Sequence, residues 1–170
     1  MAATRRIIVG RIETLKLDAV VNAANRELRP GSGVDGALRA AAGPELTRHT
    51  DKLGPLDEGG AVLTPGFRLP ARHIIHTAAP VYFLDGDEAS KIEVLRRCYA
   101  SCITLADAHG LKSIAFPCLG TGIYGWPRKL AYTIALSSTA ETLANAPTLS
   151  EVVFCCFTED DAEIYRAALS

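Results

Sequence analysis

The 170-residue sequence predicts one α/β domain in which a mixed, mostly parallel sheet lies between helical layers. Three observations predict it. Short apolar runs rich in β-branched residues recur along the chain, as buried strands require. Stretches with apolar residues at three- and four-residue steps stand between them. In the later half of the chain strand-like and helix-like segments alternate, which implies right-handed crossovers and parallel pairing.

The elements follow in order. "RRIIVG" (5–10) reads as a first strand and "DAVVNAA" (18–24) as a second, buried one. "VDGALRAAAG" (34–43) reads as a short helix ended by Gly43, and "PELTRHTDK" (44–52) as another helical piece. "GGAVLTPG" (59–66) and "HIIHTAA" (73–79) read as strands set off by Gly or Pro. Residues 89–109 form the clearest helix: Ile92, Leu95, Tyr99, Cys102 and Ala106 share one face, and Gly110 is placed to stop it. "SIAFP" (113–117) is the next strand. Residues 127–144 make a second long helix with proline in its first turn. "EVVFCCF" (151–157) is the last strand, and "DDAEIYRAAL" (160–169) closes the chain as a helix with acids at its N-terminus, as the helix dipole prefers.

Composition sets bounds on function. One domain over residues 1–170 can bury a sufficient core without disulfides or structural metal. No apolar run approaches the roughly 18 residues of a membrane-spanning helix, and the start "MAATRRIIVGRIE" holds too short an apolar run for a secretory signal. A cytoplasmic protein with no membrane partner is expected. Net charge is −1, with no basic run longer than two, which argues against a nucleic-acid surface. Five cysteines with no C-x-x-C read as reduced, packed thiols. Cys98 and Cys102 share a helix side, and Cys155 and Cys156 face opposite ways on a strand. The four histidines form no metal motif, so no metal is expected.

Two glycine-rich loops carry the chemistry. "RPGSGVDG" (29–36) and "GTGIYG" (120–125) each follow a buried strand and precede a helix. In an open α/β sheet such loops lie at the carboxyl edge, where ligands bind. Gly lets backbone approach a diphosphate closely, and helix N-terminal N–H groups can receive it. Neither loop is a Walker A motif, and two tight turns account equally well for the glycines alone. Asn22 and Asn25 read either as turn formers or as hydrogen-bond partners of a sugar. Asp35 reads either as the N-cap of the helix ending at Gly43 or as a carboxylate that orients water. Tyr124, between glycines, reads as a ligand contact, and Phe157 as core or ligand-facing.

"GRIETLKLDAVVNAAN", "GSGVDGALRAAAGPEL", "LPARHIIHTAAP", "SIAFPCLGTGIYGWP" and "VVFCCFTEDDAEIY" together resemble the macro domain family, and within it the MacroD-type ADP-ribosyl hydrolases. The similarity runs from about Ile7 to the C-terminus. It implies a three-layer α/β/α sandwich around a mixed, mostly parallel six-stranded sheet. It implies ADP-ribose or O-acetyl-ADP-ribose as ligand, mono-ADP-ribosylated proteins as partners, and no cofactor. The activity it implies is hydrolysis of ADP-ribosyl esters: removal of mono-ADP-ribose from acidic side chains and deacetylation of O-acetyl-ADP-ribose. Gly33, Val34, Gly120, Thr121, Gly122, Ile123 and Tyr124 would contact phosphates and ribose, with Asn22 beside them. Asn25 would bind the distal ribose, and Asp35 would position or activate the attacking water. Arg11 and Ile12 would border the adenine, and Phe157 would lie against it.

The sequence departs from the family pattern at four points. Where the family has G-D-I near its start, whose Asp accepts from the adenine amine, this chain has Gly10-Arg11-Ile12. Arginine has no acceptor, so Arg11 either stacks on the base or leaves Glu13 to meet the amine. A lost hydrogen bond to a charged group is worth about 1.5–3 kcal/mol, roughly ten- to a hundredfold in affinity. Pro30 and Ser32 interrupt the usual glycine run, Arg39 stands where the family often has His, and Gly120 replaces a common Ser. Two alternatives to the enzyme follow from these changes. One is a non-catalytic module that reads ADP-ribose. The other is a macro domain with an altered nucleotide preference.

Overall fold

The computed structural model describes residues 2–84 and 86–169. Six strands, β1 (Thr4–Val9), β2 (Ala19–Ala23), β3 (Ala61–Pro65), β4 (His73–Thr77), β5 (Ser113–Phe116) and β6 (Glu151–Cys156), form one sheet in the order β1-β6-β5-β2-β4-β3. All neighbours pair in parallel except β3, which runs antiparallel to β4 at the edge. Five helices connect them: α1 (Gly33–Ala42), α2 (Pro44–Thr50), α3 (Glu88–Ala108), α4 (Arg128–Leu143) and α5 (Glu159–Leu169). The mixed, mostly parallel α/β sheet and the order of elements are those read from the sequence. One short 3₁₀ turn, Ile12–Thr14, was not, because a single turn carries no periodicity.

The central strands are buried on both faces, and their side chains alternate between two cores. Val20, Ala115, Val153 and Cys155 pack with Leu38 and Ala42 of α1 and Leu46 of α2. Val21, Ile114, Phe116, Val152, Phe154 and Cys156 face α3, α4 and α5. Cys155 and Cys156 therefore do face opposite ways. The larger core is threaded by aromatic rings. Tyr99 meets Phe116 at 5.0 Å, Phe154 meets Tyr165 at 5.2 Å, and Tyr165 stacks on Tyr132 at 4.2 Å between centroids. Rings at these separations add about 0.5–1.5 kcal/mol per pair beyond their buried area. They tie α3, α4 and α5 to the middle of the sheet.

Parallel pairing has a consequence for the site: β1, β6, β5 and β2 are adjacent and end at the same edge. The first glycine loop folds back at that edge onto α1. A Cβ at Gly36 would lie 2.9 Å from the Gly31 carbonyl oxygen, closer than any real side chain tolerates. This is why a glycine stands inside the helix. Gly→Ala in a helix ordinarily gains about 1 kcal/mol. Gly36→Ala is expected to lose stability instead, read as a lower urea midpoint at unchanged slope. A raised midpoint would show that the loop has no fixed seat on α1.

Candidate functional site

A cleft of about 910 Å³ opens at the carboxyl edge of those four strands. That volume lies in the range of small-molecule and cofactor sites. One wall is the first glycine loop and the start of α1, with Asn25, Gly31, Ser32, Gly33, Val34 and Asp35. The opposite wall is the second loop, with Cys118, Gly120, Thr121, Gly122, Ile123 and Tyr124. Arg11, Ile12 and Glu13 close one end with Phe157 and the start of α5. Every residue the sequence reading placed at a ligand lines this cleft, except Asn22.

The helix termini set the electrostatics. α3 is capped by Asp87, whose side chain accepts from Ser90 N–H. α5 is capped by Thr158, which accepts from Asp161 N–H and donates to its carboxylate. The helices that start at the cleft walls, α1 and α4, have no side-chain cap. Their first-turn N–H groups lack intrahelical partners and are free for an anionic ligand. Arg128 is the cleft cation beside α4, and it is already paired with Asp161 at 3.2 Å. Burial works to raise the Asp161 carboxyl, but hydrogen bonds from Tyr132, Thr158 and Arg128 hold it below the ordinary carboxylate range.

Asp35 is not the N-cap that one sequence reading assigned. The helix starts at Gly33 behind Ser32, and Asp35 sits inside its first turn. Its carboxylate is only 3% exposed. Oδ2 accepts from Gly31 N–H at 2.7 Å and from Arg39 Nε at 2.9 Å, and Oδ1 accepts from Asn22 Nδ2 at 2.7 Å. A carboxylate has about four acceptor directions, so one remains on Oδ1. Asn22 is fully buried behind Asp35, not on the wall. A β2 side chain at this position points into the sheet layer, so it serves the carboxylate and not a sugar. Asn25 does reach the wall. Its Nδ2 donates to Arg29 O at 2.8 Å and its Oδ1 accepts from Arg29 N–H at 3.0 Å, pinning the loop and leaving one donor for a ligand.

Behind Asp35 lies a polar network the sequence reading missed. Arg39, buried, also donates to Thr47 Oγ1, Thr50 Oγ1 and Leu28 O. Leu28 has φ of +59°, a left-handed conformation that non-glycine residues rarely adopt. Its buried side chain and the Arg39 bond hold it there. Asn22 Nδ2 donates a second bond to His76 Nδ1, so His76 carries its proton on Nε2 and donates it to Thr64 Oγ1. Burial, and then the Arg39 charge, lower His76 from 6.5 to about 4. The i,i+4 spacing of Asp35 and Arg39 was the available signal. His76 had none, because the pairing of β4 with β2 brings it beside Asn22.

The second loop is seated just as firmly. Trp126 Nε1 donates to Pro80 O at 2.8 Å, and Tyr82 N–H donates to Tyr124 O at 2.9 Å. Gly120 has φ of +85°, and a Cβ there would lie 2.6 Å from Trp126 Cδ1. The Ser-to-Gly change at this position is thus matched to the tryptophan. Ile123 and Phe157 are 80% and 72% exposed, which sets Phe157 as cleft-facing and not core. Arg11 is turned onto Glu13 at 2.9 Å, with Glu13 the better buried of the two. Among the described residues no His, Cys, Asp and Glu cluster could hold a metal ion.

Two outcomes are expected from the network. Arg39→Leu removes a buried partner and leaves the Asp35 charge unpaired, at a cost of about 3–5 kcal/mol, read by urea denaturation. A loss below about 1 kcal/mol, the level of a surface pair, would show the pair is not buried in solution. His76 gives a pH dependence. The unfolded imidazole takes its proton near 6.5 and the folded one near 4. Stability is therefore full above pH 6.5 and falls as pH drops toward 4, by about 3 kcal/mol. In His76→Gln this slope should largely vanish in urea melts across that window.

Comparison with known proteins agrees with this geometry. The sequence profile of the macro domain, described as "Macro domain", matches residues 21–135. A macro domain-containing protein of Ralstonia nicotianae is 44% identical over 167 residues, covering 98% of this chain and 95% of its own. A protein of Enterobacter sp. (strain 638) named O-acetyl-ADP-ribose deacetylase is 39% identical, covering 96% of this chain and 92% of its own. The crystal structure of a Trypanosoma brucei macrodomain in complex with ADP-ribose superposes with a TM-score of 0.90 at 39% identity, over 98% of this chain and 69% of that one. Sequence and fold meet in one assignment: this chain belongs to the macro domain family.

Proposed function

We propose that this protein binds ADP-ribose in the cleft and hydrolyses ADP-ribosyl esters, with Asp35 holding the attacking water. The observation that carries this reading is the Asp35 carboxylate. It is fixed by three donors at the mouth of an uncapped helix, with one acceptor direction left on Oδ1. In this reading the diphosphate lies between the N-terminus of α1 and the Gly120–Tyr124 loop, where backbone N–H groups replace a lysine cluster. The distal ribose lies at Asn25 and Asp35, and the adenine at the Arg11 and Phe157 end. The ligand of the trypanosomal structure and the name of the Enterobacter relative support the same ligand and ester chemistry.

The chemistry asked of the chain is limited. A water bound to Oδ1 attacks the ester carbonyl carbon, its proton passes to Asp35 or to a substrate phosphate oxygen, and the ester C–O bond breaks as the ribose oxygen leaves and takes up that proton. Rigid placement of water and ester is the main contribution, since orientation alone removes several kcal/mol from a barrier. Glu13, drawn inward while Arg11 stays 68% exposed, is the acceptor in this reading for the adenine amine.

A second reading, binding without turnover, is favoured by one observation: three of the four acceptor directions of Asp35 are spent inside the protein. Release of acetate from O-acetyl-ADP-ribose, and of ADP-ribose from a protein modified on acidic side chains, separates the two. The unaltered protein is expected to turn over both substrates. Asp35→Ala is expected to lose about a hundredfold or more in rate, compared at a temperature where its melting curve shows it folded. Equal, negligible release by both proteins, with calorimetric ADP-ribose binding retained, would establish the binding module instead.

A further inference from the structure

The geometry points to a reversible disulfide between Cys118, on the wall of the cleft, and Cys156, beneath it, formed by a peroxide-class oxidant. Strands β5 and β6 pair in parallel with Phe116 opposite Phe154. β5 ends at Phe116 and β6 at Cys156, and two residues beyond Phe116 the Cys118 thiol is hydrogen-bonded to the Cys156 thiol. Two thiols in hydrogen-bond contact need only a short approach to reach the S–S length of about 2.05 Å. Both side chains point to the same face, since Cys156 belongs to the larger core and Cys118 packs against that core. Both are free thiols.

Of the five cysteines this pair alone joins access to a partner. Cys118 lines the cleft and is partly exposed. Cys98 and Cys102 lie on α3 and are buried in the larger core. Cys155 borders the cleft, but it points to the opposite face of the sheet, into the smaller core, which holds no other cysteine among the described residues. Reactivity follows the same division. The neighbouring Cys156 thiol, as hydrogen-bond donor, holds the Cys118 thiol below the ordinary cysteine range. Burial pushes Cys98 and Cys155 up to about 11 and Cys102 higher than its usual value. The thiolate is the nucleophile, so Cys118 reacts first.

The steps balance. The Cys118 sulfur attacks one peroxide oxygen, the O–O bond breaks, and the leaving hydroxide takes up a proton as water. Cys118 is then a sulfenic acid. The Cys156 sulfur attacks the Cys118 sulfur, the S–O bond breaks, and the thiol proton leaves with the hydroxide as a second water. The two thiols together lose two electrons and the peroxide gains two. The Cys118 carbonyl accepts from Thr121 Oγ1 at 3.2 Å, so drawing Cys118 toward β6 pulls on the second glycine loop. The disulfide does not depend on what the cleft binds. Its effect on a ligand rests on the ADP-ribose reading.

The test uses the reduced full chain and dilute hydrogen peroxide, followed by alkylation and mass spectrometry. The expected product is lighter by two hydrogens, returns to thiols with reductant, and yields a Cys118–Cys156 linked peptide. Cys118 should react about tenfold or more faster than Cys98, Cys102 and Cys155, since it alone joins exposure at the cleft to a thiol held below the ordinary range. In Cys156→Ala, whose folding is checked by its melting curve, oxidation should halt at a Cys118 sulfenic acid that dimedone captures. Absence of the linked peptide in the unaltered protein, or oxidation of Cys155 ahead of Cys118, would overturn the proposal without bearing on ligand binding. A separate calorimetric titration with ADP-ribose is expected to show affinity reduced about tenfold in the oxidised protein. If the reduced protein shows no heat of binding either, the ADP-ribose reading fails and the disulfide stands.

Discussion

The buried ion pair between Asp35 and Arg39 is the interaction on which the cleft depends. It joins the first turn of α1 to its second, α1 to α2 through Thr47 and Thr50, and both to the loop at Leu28. Burying two charges costs several kcal/mol each before they attract one another. That cost is offset only when the remaining donors and acceptors are also satisfied. Here Nε, Nη1 and Nη2 of Arg39 all donate, and both oxygens of Asp35 accept. A neutral His76 completes the chain without adding a third charge. The network contributes less to net stability than to position. It fixes where one carboxylate stands relative to the glycine loop.

Glycine loops and helix starts, and no lysine, line the cleft among the described residues. The chain carries 18 basic and 19 acidic residues, and no basic cluster lies at the sheet edge. The helices α1 and α4 instead begin at the cleft without a side-chain cap. Each presents N–H groups and the positive end of a helix dipole. α5, also at the cleft, has its Asp161 N–H taken by the Thr158 cap.

Rigidity reaches the second loop from the larger core. Trp126 is nearly fully buried and carries the loop on one side, while its ring meets Tyr82 at 5.0 Å between centroids. Gly120 fits only because it lacks a side chain. Tyr99, Phe116, Phe154, Tyr165 and Tyr132 continue the aromatic packing to the base of α4 and α5. The loop is therefore an extension of the core and not a free lid, and a covalent change at Cys118 would be felt at Thr121.

The sequence by itself determined the elements, because strand and helix periodicity are local properties. "DAVVNAA" and "SIAFP" read as buried strands and "EVVFCCF" as the last strand, and Val20, Val21, Ile114, Phe116, Val153 and Phe154 are buried. The two glycine loops could be placed at one edge because parallel strands end together. Most of the cleft wall was legible for the same reason. What the tertiary structure decided was the direction of side chains at contacts made between distant segments. Asn22 and Asn25 stand three residues apart in one motif, yet one supports Asp35 from the core and the other reaches the cleft. Arg39 read as a departure from a pattern and turned out to be the partner of the central carboxylate. His76 carried no signal, since only strand register sets it beside Asn22, and the Cys118–Cys156 contact arises only once β5 and β6 lie side by side. Periodicity specifies which face a residue takes within its own element; which groups meet across elements follows from packing, and there burial and charge pairing made the choice.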